Sequence, residues 1–192
     1  MKSTNTHFTA DTHFLHANII KMGDGRPFAD LEEMTEALIS NWNSVVKKGD
    51  VVYHDGDFAL TYKKTCGPIV DKILSRLNGQ KFLITGNHDR KEVTQSKHWV
   101  NVMPYHEIKV DLGGKHKQRI VMSHYAMRVW NQNHRGSWML HGHSHGNLDD
   151  IGGKTLDVGV DPMGYFPISI EELKEMMDRR PMKLGSDHHQ AN

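Results

Sequence analysis

Short apolar runs rich in β-branched and aromatic residues punctuate the chain: THFTA (6–10), DVVYH (50–54), KFLIT (81–85), HEIKVDL (106–112), RIVMS (119–123) and WMLHG (138–142). Runs of this length, bounded by Gly, Asp and Asn, predict β-strands. The segments between them change period. Over 30–47 the apolar positions Leu31, Met34, Leu38, Trp42 and Val45 recur every three or four residues, one face of a helix, with Asp30 and Glu33 placed to cap its start. A second face runs through Ile69, Val70, Ile73, Leu74 and Leu77 and stops at Asn78-Gly79. A third follows Ser169 and Glu172, with Ile170, Leu173 and Met177 behind the cap. Strands alternating with helices predict an α/β domain, its later strands closer together and hairpin-like.

No repeat or linker divides the 192 residues. The expectation is one domain over 1–180 and a polar tail over 181–192, with His188 and His189 in a frayed end. No apolar run approaches the ~18 residues of a membrane helix. The opening MKSTNTHF lacks the apolar core of a signal peptide, and the lone Cys66 cannot form an internal disulfide. The expected location is therefore the cytoplasm, and Cys66 reads as a small buried hydrophobe. A formal net charge of +1 argues against bulk attraction to a polyanion. The composition is otherwise ordinary except for 15 histidines, side chains that serve as acid, base or metal ligand near neutral pH.

The histidines are not scattered. THFTADTH delivers Asp11 and His13 after a strand; VVYHDGDF delivers Asp57; FLITGNHDR delivers Asn87, His88 and Asp89; RIVMSH ends on His124; MLHGHSHG delivers His143 and His145. Taken singly, D-x-H and Gly-Asp are common at exposed turns, and H-x-H can be two solvent-facing residues of a strand. Together, each at a predicted strand end, they can converge outside the carboxyl ends of one sheet. Carboxylate, imidazole and one amide oxygen without a thiolate suit Mn²⁺ first, with Fe or Zn²⁺ as alternatives. Asp11, His13, Asp57, Asn87, His124, His143 and His145 are seven candidate ligands, too many for one ion with an open position; two ions sharing a bridging carboxylate account for the number.

The order D-x-H, G-D, G-N-H-D, H, G-H-x-H resembles that of the calcineurin-like metallophosphoesterase superfamily. The later D-V-G-V-D-x-x-G-Y-x-P is similar to the end of short, cap-less bacterial and phage members. The resemblance implies a four-layer αββα sandwich of two mixed β-sheets flanked by helices. It implies one metal on Asp11, His13 and His145, a second on Asn87, His124 and His143, and Asp57 between them. It makes His88 the catalytic residue that protonates the leaving oxygen or steadies the transition state, with a metal-bridging hydroxide as the attacking group. One departure stands out. Where many family phosphatases continue the second motif as G-D-x-x-D-R-G, this chain reads GDFALTYKK, with Leu60 in place of the acid that orients the catalytic histidine.

Arginine must then reach a substrate from elsewhere. Arg128 and Arg135, with Trp130, Trp138 and His134, lie between His124 and the strand leading to His143; His16, Asn18 and Arg26 follow the first motif. Arg128, Arg135, Arg26 and His16 are the candidate substrate-binding residues, because arginine binds phosphate through paired hydrogen bonds. The remaining His7, His54, His98, His106, His116 and His141 read as structural or surface residues. With no length left for a cap domain, the expected substrate is a phosphodiester, nucleotides and cyclic nucleotides included. A phosphomonoesterase on nucleotides or phosphoproteins is the alternative. A non-catalytic scaffold of the same fold is disfavoured because no ligand position is eroded. No strong basic run predicts an extended nucleic-acid footprint, and no membrane partner is expected.

Overall fold

The computed structural model describes residues 5–22, 25–114, 117–150 and 152–182. The tail from 183 onward, with His188 and His189, lies outside the described residues, as does His116. Four strands, β1 (Thr6–Thr9), β2 (Val51–His54), β3 (Gln80–Ile84) and β4 (Trp99–Met103), run parallel. A short β9 (Ile168–Ser169) pairs antiparallel to β1, giving the order β4-β3-β2-β1-β9. The second sheet has the order β5-β6-β7-β8, built from His106–Val110, Gln118–Met122, Trp138–His141 and Thr155–Asp157. Only β5 and β6 form the expected hairpin; β6, β7 and β8 are parallel.

The alternation of side chains along the strands explains the layering. On one face of the first sheet, Val52 and Leu83 pack with Met34, Leu38 and Trp42 of α1 (Leu31–Val45) and Val70, Ile73 and Leu74 of α2 (Gly67–Arg76). On its other face, Phe8, Ala10 and Ile84 meet Ile120, Met122, Trp138 and Leu140 of the second sheet. The chain is thus an α/β fold of two mixed sheets flanked by helices. A one-turn α3 (Lys91–Thr94) leads into β4. The last helix, α4 (Ile170–Asp178), adds Leu173 and Met177 to the core between the sheets. Its C-terminal end is tied to the start of β8, where Lys154 Nζ donates to the Met177 carbonyl at 2.6 Å.

Both N-caps fall where expected. Asp30 accepts the Glu33 amide at 2.9 Å, although the Glu33 carboxylate reaches back to Ala29 rather than to Asp30. Ser169 and Glu172 complete a reciprocal capping box. Cys66, expected inside, is half-buried where α2 begins. Among the described residues, no helix is long and apolar enough to cross a membrane.

Candidate metal centre

The parallel strands β1, β2 and β3 end at one edge of the first sheet, and β6, β7 and β8 bring their own carboxyl ends against it. An isolated parallel bridge, Ala10 to Gly159, joins the loops beyond β1 and β8, with the Val160 amide donating to the Ala10 carbonyl at 3.0 Å. The residues just past these ends are the ones singled out in the sequence. They fall into two groups, Asp11–His13–His145 and Asp57–His124–His143; within each, the ligand atoms lie within 4.8 Å of one another.

Asp57 joins the groups. Its Oδ2 lies 3.6 Å from His13 Nε2 and 3.3 Å from His124 Nε2, while its Oδ1 accepts the His88 amide at 2.8 Å. Asn87 lies beside the second group, its Oδ1 3.1 Å from His124 Nε2. His88 Nε2 is 3.9 Å from Asp57 Oδ2, and its side chain is 37% exposed. Asp11 accepts the His143 amide on both oxygens, at 3.1 and 2.9 Å, which fixes the loop after β7 against the loop after β1.

Such close convergence distorts the backbone. Asp11, His13, Asp57, His143 and His145 all have φ between 48° and 67°. Non-glycine residues adopt this left-handed region at a cost of roughly 1–3 kcal/mol each, and such strain concentrates at functional sites. The motif glycines are explained by space. A Cβ on Gly86 would sit 2.2 Å from Asp57 Oδ1, one on Gly142 2.5 Å from Asp11 Oδ2, and one on Gly56 2.5 Å from His124 Nδ1.

Asp89, the last residue of G-N-H-D, does not orient His88. Its Oδ2 accepts the amides of Asp57 (2.8 Å) and Gly86 (2.9 Å), and its Oδ1 that of Phe58 (2.9 Å). It clamps the second and third motif loops together. Leu60, where an orienting acid would fall, is buried. Asp89→Ala would orphan all three amides, each of which costs about 1–3 kcal/mol to leave unpaired. Urea unfolding of the metal-free protein is expected to lose about 3 kcal/mol or more; a loss below about 1 kcal/mol would mean the clamp is dispensable.

The electrostatics fit bound cations. Burial pushes the Asp11 carboxyl up to about 7 despite the imidazoles of His145 and His124 nearby. Burial likewise drives the His13 imidazole down to about 2, so it is neutral, as a ligand must be. Its Nε2 is buried without a hydrogen-bond partner among the described residues. At Asp57, burial alone would raise the carboxyl, but the hydrogen bond to His124 and that ring's charge outweigh it and hold it near 2. His124 gains from the same pair and rises to about 9 against the opposing effect of burial, so a cation bound there has to displace its proton. Buried carboxylates facing unpartnered imidazole nitrogen, with no thiolate in the set, are a donor set suited to divalent ions.

The candidate substrate residues divide. His16 is buried beside the site, Nδ1 3.3 Å from His13 Nδ1 and its ring 6.0 Å from that of His88. Arg26, expected to reach substrate, is instead turned inward. It pairs through Nε and Nη2 with Asp161, both at 2.9 Å, and donates to the carbonyls of Asp11 and Thr12, bracing the first motif loop from behind. Arg128 and Arg135 are exposed, and among the described residues no hydrogen bond or ion pair holds either side chain. Trp138 is core, and Trp130 donates its Nε1–H to the Ser137 carbonyl under the loop.

Three residues escape the sequence motifs. Asp161 Oδ2 lies 2.6 Å from His145 Nδ1 and orients that ring. Asp157 accepts the amides of Gly146 (2.9 Å) and Gly159 (2.8 Å). Tyr125, 52% exposed, stacks edge-on against His143 at 4.6 Å, with its hydroxyl 3.3 Å from Asn87 Oδ1. Asp157 and Asp161 sit in the D-V-G-V-D stretch, whose sequence pattern alone gives neither acid a role. Tyr125 carried no signal beyond following His124.

Known proteins are similar to this chain over most of its length. A protein of Methanocaldococcus jannaschii described as uncharacterized is 32% identical over 185 residues, covering 93% of this chain and 94% of its own. The Gene 66 protein of Mycobacterium phage D29 is 27% identical, covering 91% and 96% respectively. A crystal structure from Aquifex aeolicus, of a protein of unknown function, superposes with a TM-score of 0.69 at 24% identity, covering 91% of this chain and all of that one, a likeness of fold. The model of the calcineurin-like phosphoesterase family matches residues 5–162, which contain every strand-end group described above. This chain therefore belongs to the calcineurin-like phosphoesterase family, whose members are metal-dependent phosphoesterases.

Proposed function

We propose that the protein hydrolyses phosphodiesters at a dinuclear centre. The observation that carries this is the position of Asp57 Oδ2, 3.6 Å from a nitrogen of one group and 3.3 Å from a nitrogen of the other. One carboxylate oxygen facing both groups is what a bridge between two ions requires. Asp11, His13 and His145 would hold one ion; Asn87, His124 and His143 would hold the other. Manganese suits the mixed oxygen and nitrogen set, with iron or zinc as alternatives. Bound there, such ions supply Lewis-acid charge to phosphoryl oxygens and an activated water.

The side chains supply the rest. Asp57 and Asp11 are fixed by backbone amides, so the centre is built before substrate arrives and needs no reorganisation. Asp161 keeps the His145 Nδ1 side occupied and leaves Nε2 for coordination. His88, half-exposed beside the bridging carboxylate, is placed to give a proton to the leaving oxygen. Cys66 and the serines take no part. Arg26, which borders the site, is neutralised by Asp161, so among the described residues no arginine is held ready there for the second charge of a monoester. That favours diesters, with nucleotides and cyclic nucleotides as the candidate small substrates. The intact groups and His88 also count against a non-catalytic scaffold.

Stripping metal and restoring Mn²⁺ tests this directly. The expected result is about two ions bound per chain, with hydrolysis of bis-p-nitrophenyl phosphate that vanishes on stripping, returns on reconstitution and exceeds that of p-nitrophenyl phosphate. Turnover indifferent to metal would refute the dinuclear reading; a preference for the monoester would overturn the diester assignment alone.

A further inference from the structure

Beside the centre lies a cleft of about 480 Å³, within the roughly 300–1,000 Å³ range of small-ligand sites. Ile19 and Met22 form one side, Pro162 and Tyr165 another, and His145 belongs to both the cleft and the first ligand group. We propose that this cleft holds the nucleoside part of the phosphate ester, with Tyr165 as its stacking wall. The proposal rests on the phosphoesterase reading and gives it a substrate class, nucleotide esters.

Continuity with the centre comes first. An organic group esterified to a phosphoryl group at His145 has this cleft directly beside it, and the lining residues give it an apolar surface. Met22 is 57% exposed there, an apolar side chain awaiting cover. Charge narrows the occupant further. Arg26 and Asp161 are each other's counter-ions, and Asp161 also takes His145, so among the described lining residues no cation is left for a second phosphate or an acidic group. The occupant is thus uncharged, yet Asn147, an exposed lining residue with one amide hydrogen given to the His145 carbonyl at 3.3 Å, keeps carboxamide capacity that suits the hydrogen-bonding edge of a base better than a hydrocarbon.

Tyr165 itself is the independent sign. Its φ is 71°, a conformation rare for an aromatic residue, and it is held there from three sides. Its amide donates to the Val160 carbonyl at 2.8 Å, its carbonyl accepts Asn41 Nδ2 at 3.2 Å, and its ring meets Phe28 edge-on at 5.1 Å. Strain of this kind is retained where a side chain must be aimed, ligand clamps among the examples. The D-V-G-V-D-x-x-G-Y-x-P stretch then acquires one purpose: Asp161 orients a metal ligand, and Tyr165 four residues later walls the adjoining cleft.

Phosphonates, whose carbon–phosphorus bond resists hydrolysis, separate this from the reaction itself. Calorimetric titration of the Mn²⁺-loaded protein should find the methylene isostere of adenosine 5′-monophosphate bound at least ~10-fold more tightly than ethylphosphonate, the scale of one base–aromatic stack. Tyr165→Leu should erase that advantage and leave ethylphosphonate affinity within about twofold, whereas Tyr165→Phe should keep the advantage. Equal affinities in the unmodified protein, or equal weakening of both ligands by Tyr165→Leu, would overturn the proposal; the first comparison needs no variant to fold. Turnover of bis-p-nitrophenyl phosphate without a nucleoside advantage would sink the cleft assignment alone. A nucleoside advantage without turnover of either nitrophenyl ester would keep the cleft and sink the reaction.

Discussion

Asp57→Asn is expected to reduce bound Mn²⁺ from about two ions per chain to one or none and to lower kcat on bis-p-nitrophenyl phosphate by ~10³-fold or more, about 4 kcal/mol of lost transition-state stabilisation. The substitution changes little volume. Asn Oδ1 can still accept the His88 amide that Asp57 Oδ1 accepts at 2.8 Å, so the loop has reason to stay in place. What changes is the other atom. Oδ2 faces His13 Nε2 and His124 Nε2, and an amide nitrogen there carries no charge and offers hydrogens where a lone pair is required. The metal-free fold should survive with a lowered thermal midpoint, because breaking a buried pair is destabilising but His124 can shed its proton rather than remain an unpaired buried charge. Calorimetric metal stoichiometry with the rate measured on the same sample decides it. Two ions and a rate within tenfold of the parent would mean that Asp57 is not the bridge.

How much of this was legible in the sequence depends on the range of the interaction. The three strands that carry Asp11, Asp57 and Asn87, and the two that carry His124 and His143, were readable because each is an apolar run ending in a turn. The helices were readable because their apolar faces and caps are local patterns. The strands that escaped are those whose composition does not separate them from loops. β9 has two residues, β8 has three half-buried ones, and β4 lies at a sheet edge with Val100 55% exposed. The parallel pairing of β6 with β7 also escaped, since spacing cannot distinguish it from a hairpin when the connection is compact.

The same division runs through the site. Candidate ligands declare themselves by type and by position at strand ends. Their supports do not, because each is a pairing across the chain: Asp161 with Arg26 is 135 residues apart, and Asp89 with the Asp57 amide 32. Arg26 misled for that reason. From sequence it is an arginine beside a metal motif; in the fold its donors are already engaged by Asp161 and by two carbonyls of the first loop. Asp89 carried no role in the sequence because its carboxylate accepts backbone amides of another motif as well as of its own.

Gly86→Ala should be the most damaging single methyl group in the protein, and it follows from that cross-motif packing. Nothing in the G-N-H-D pattern says why glycine leads it, and at this position a left-handed backbone is not the reason. The reason is that the Asp57 carboxylate lies against the Gly86 backbone. An added Cβ would stand 2.2 Å from Asp57 Oδ1, 2.4 Å from the Asp57 amide nitrogen and 2.9 Å from its Cγ, so backbone as well as side chain must give way. Such overpacking costs about 1–3 kcal/mol in stability. The larger effect is on geometry, because a displacement near 1 Å of a positioned group can reduce a rate by ~10²-fold. Gly86→Ala is therefore expected to lose ~10²-fold or more in kcat and to weaken ion binding, while Asp57, Asn87 and every other candidate ligand remain chemically intact. Gly67→Ala provides the contrast. A Cβ there meets nothing within 4 Å, and the residue opens α2, so stability should change by no more than about 0.5 kcal/mol and the rate not at all. Urea unfolding and bis-p-nitrophenyl phosphate hydrolysis on both variants separate the two cases. Near-parental activity in Gly86→Ala would mean that the Asp57 carboxylate can shift freely, and a freely shifting carboxylate cannot be the fixed bridge on which the dinuclear reading depends.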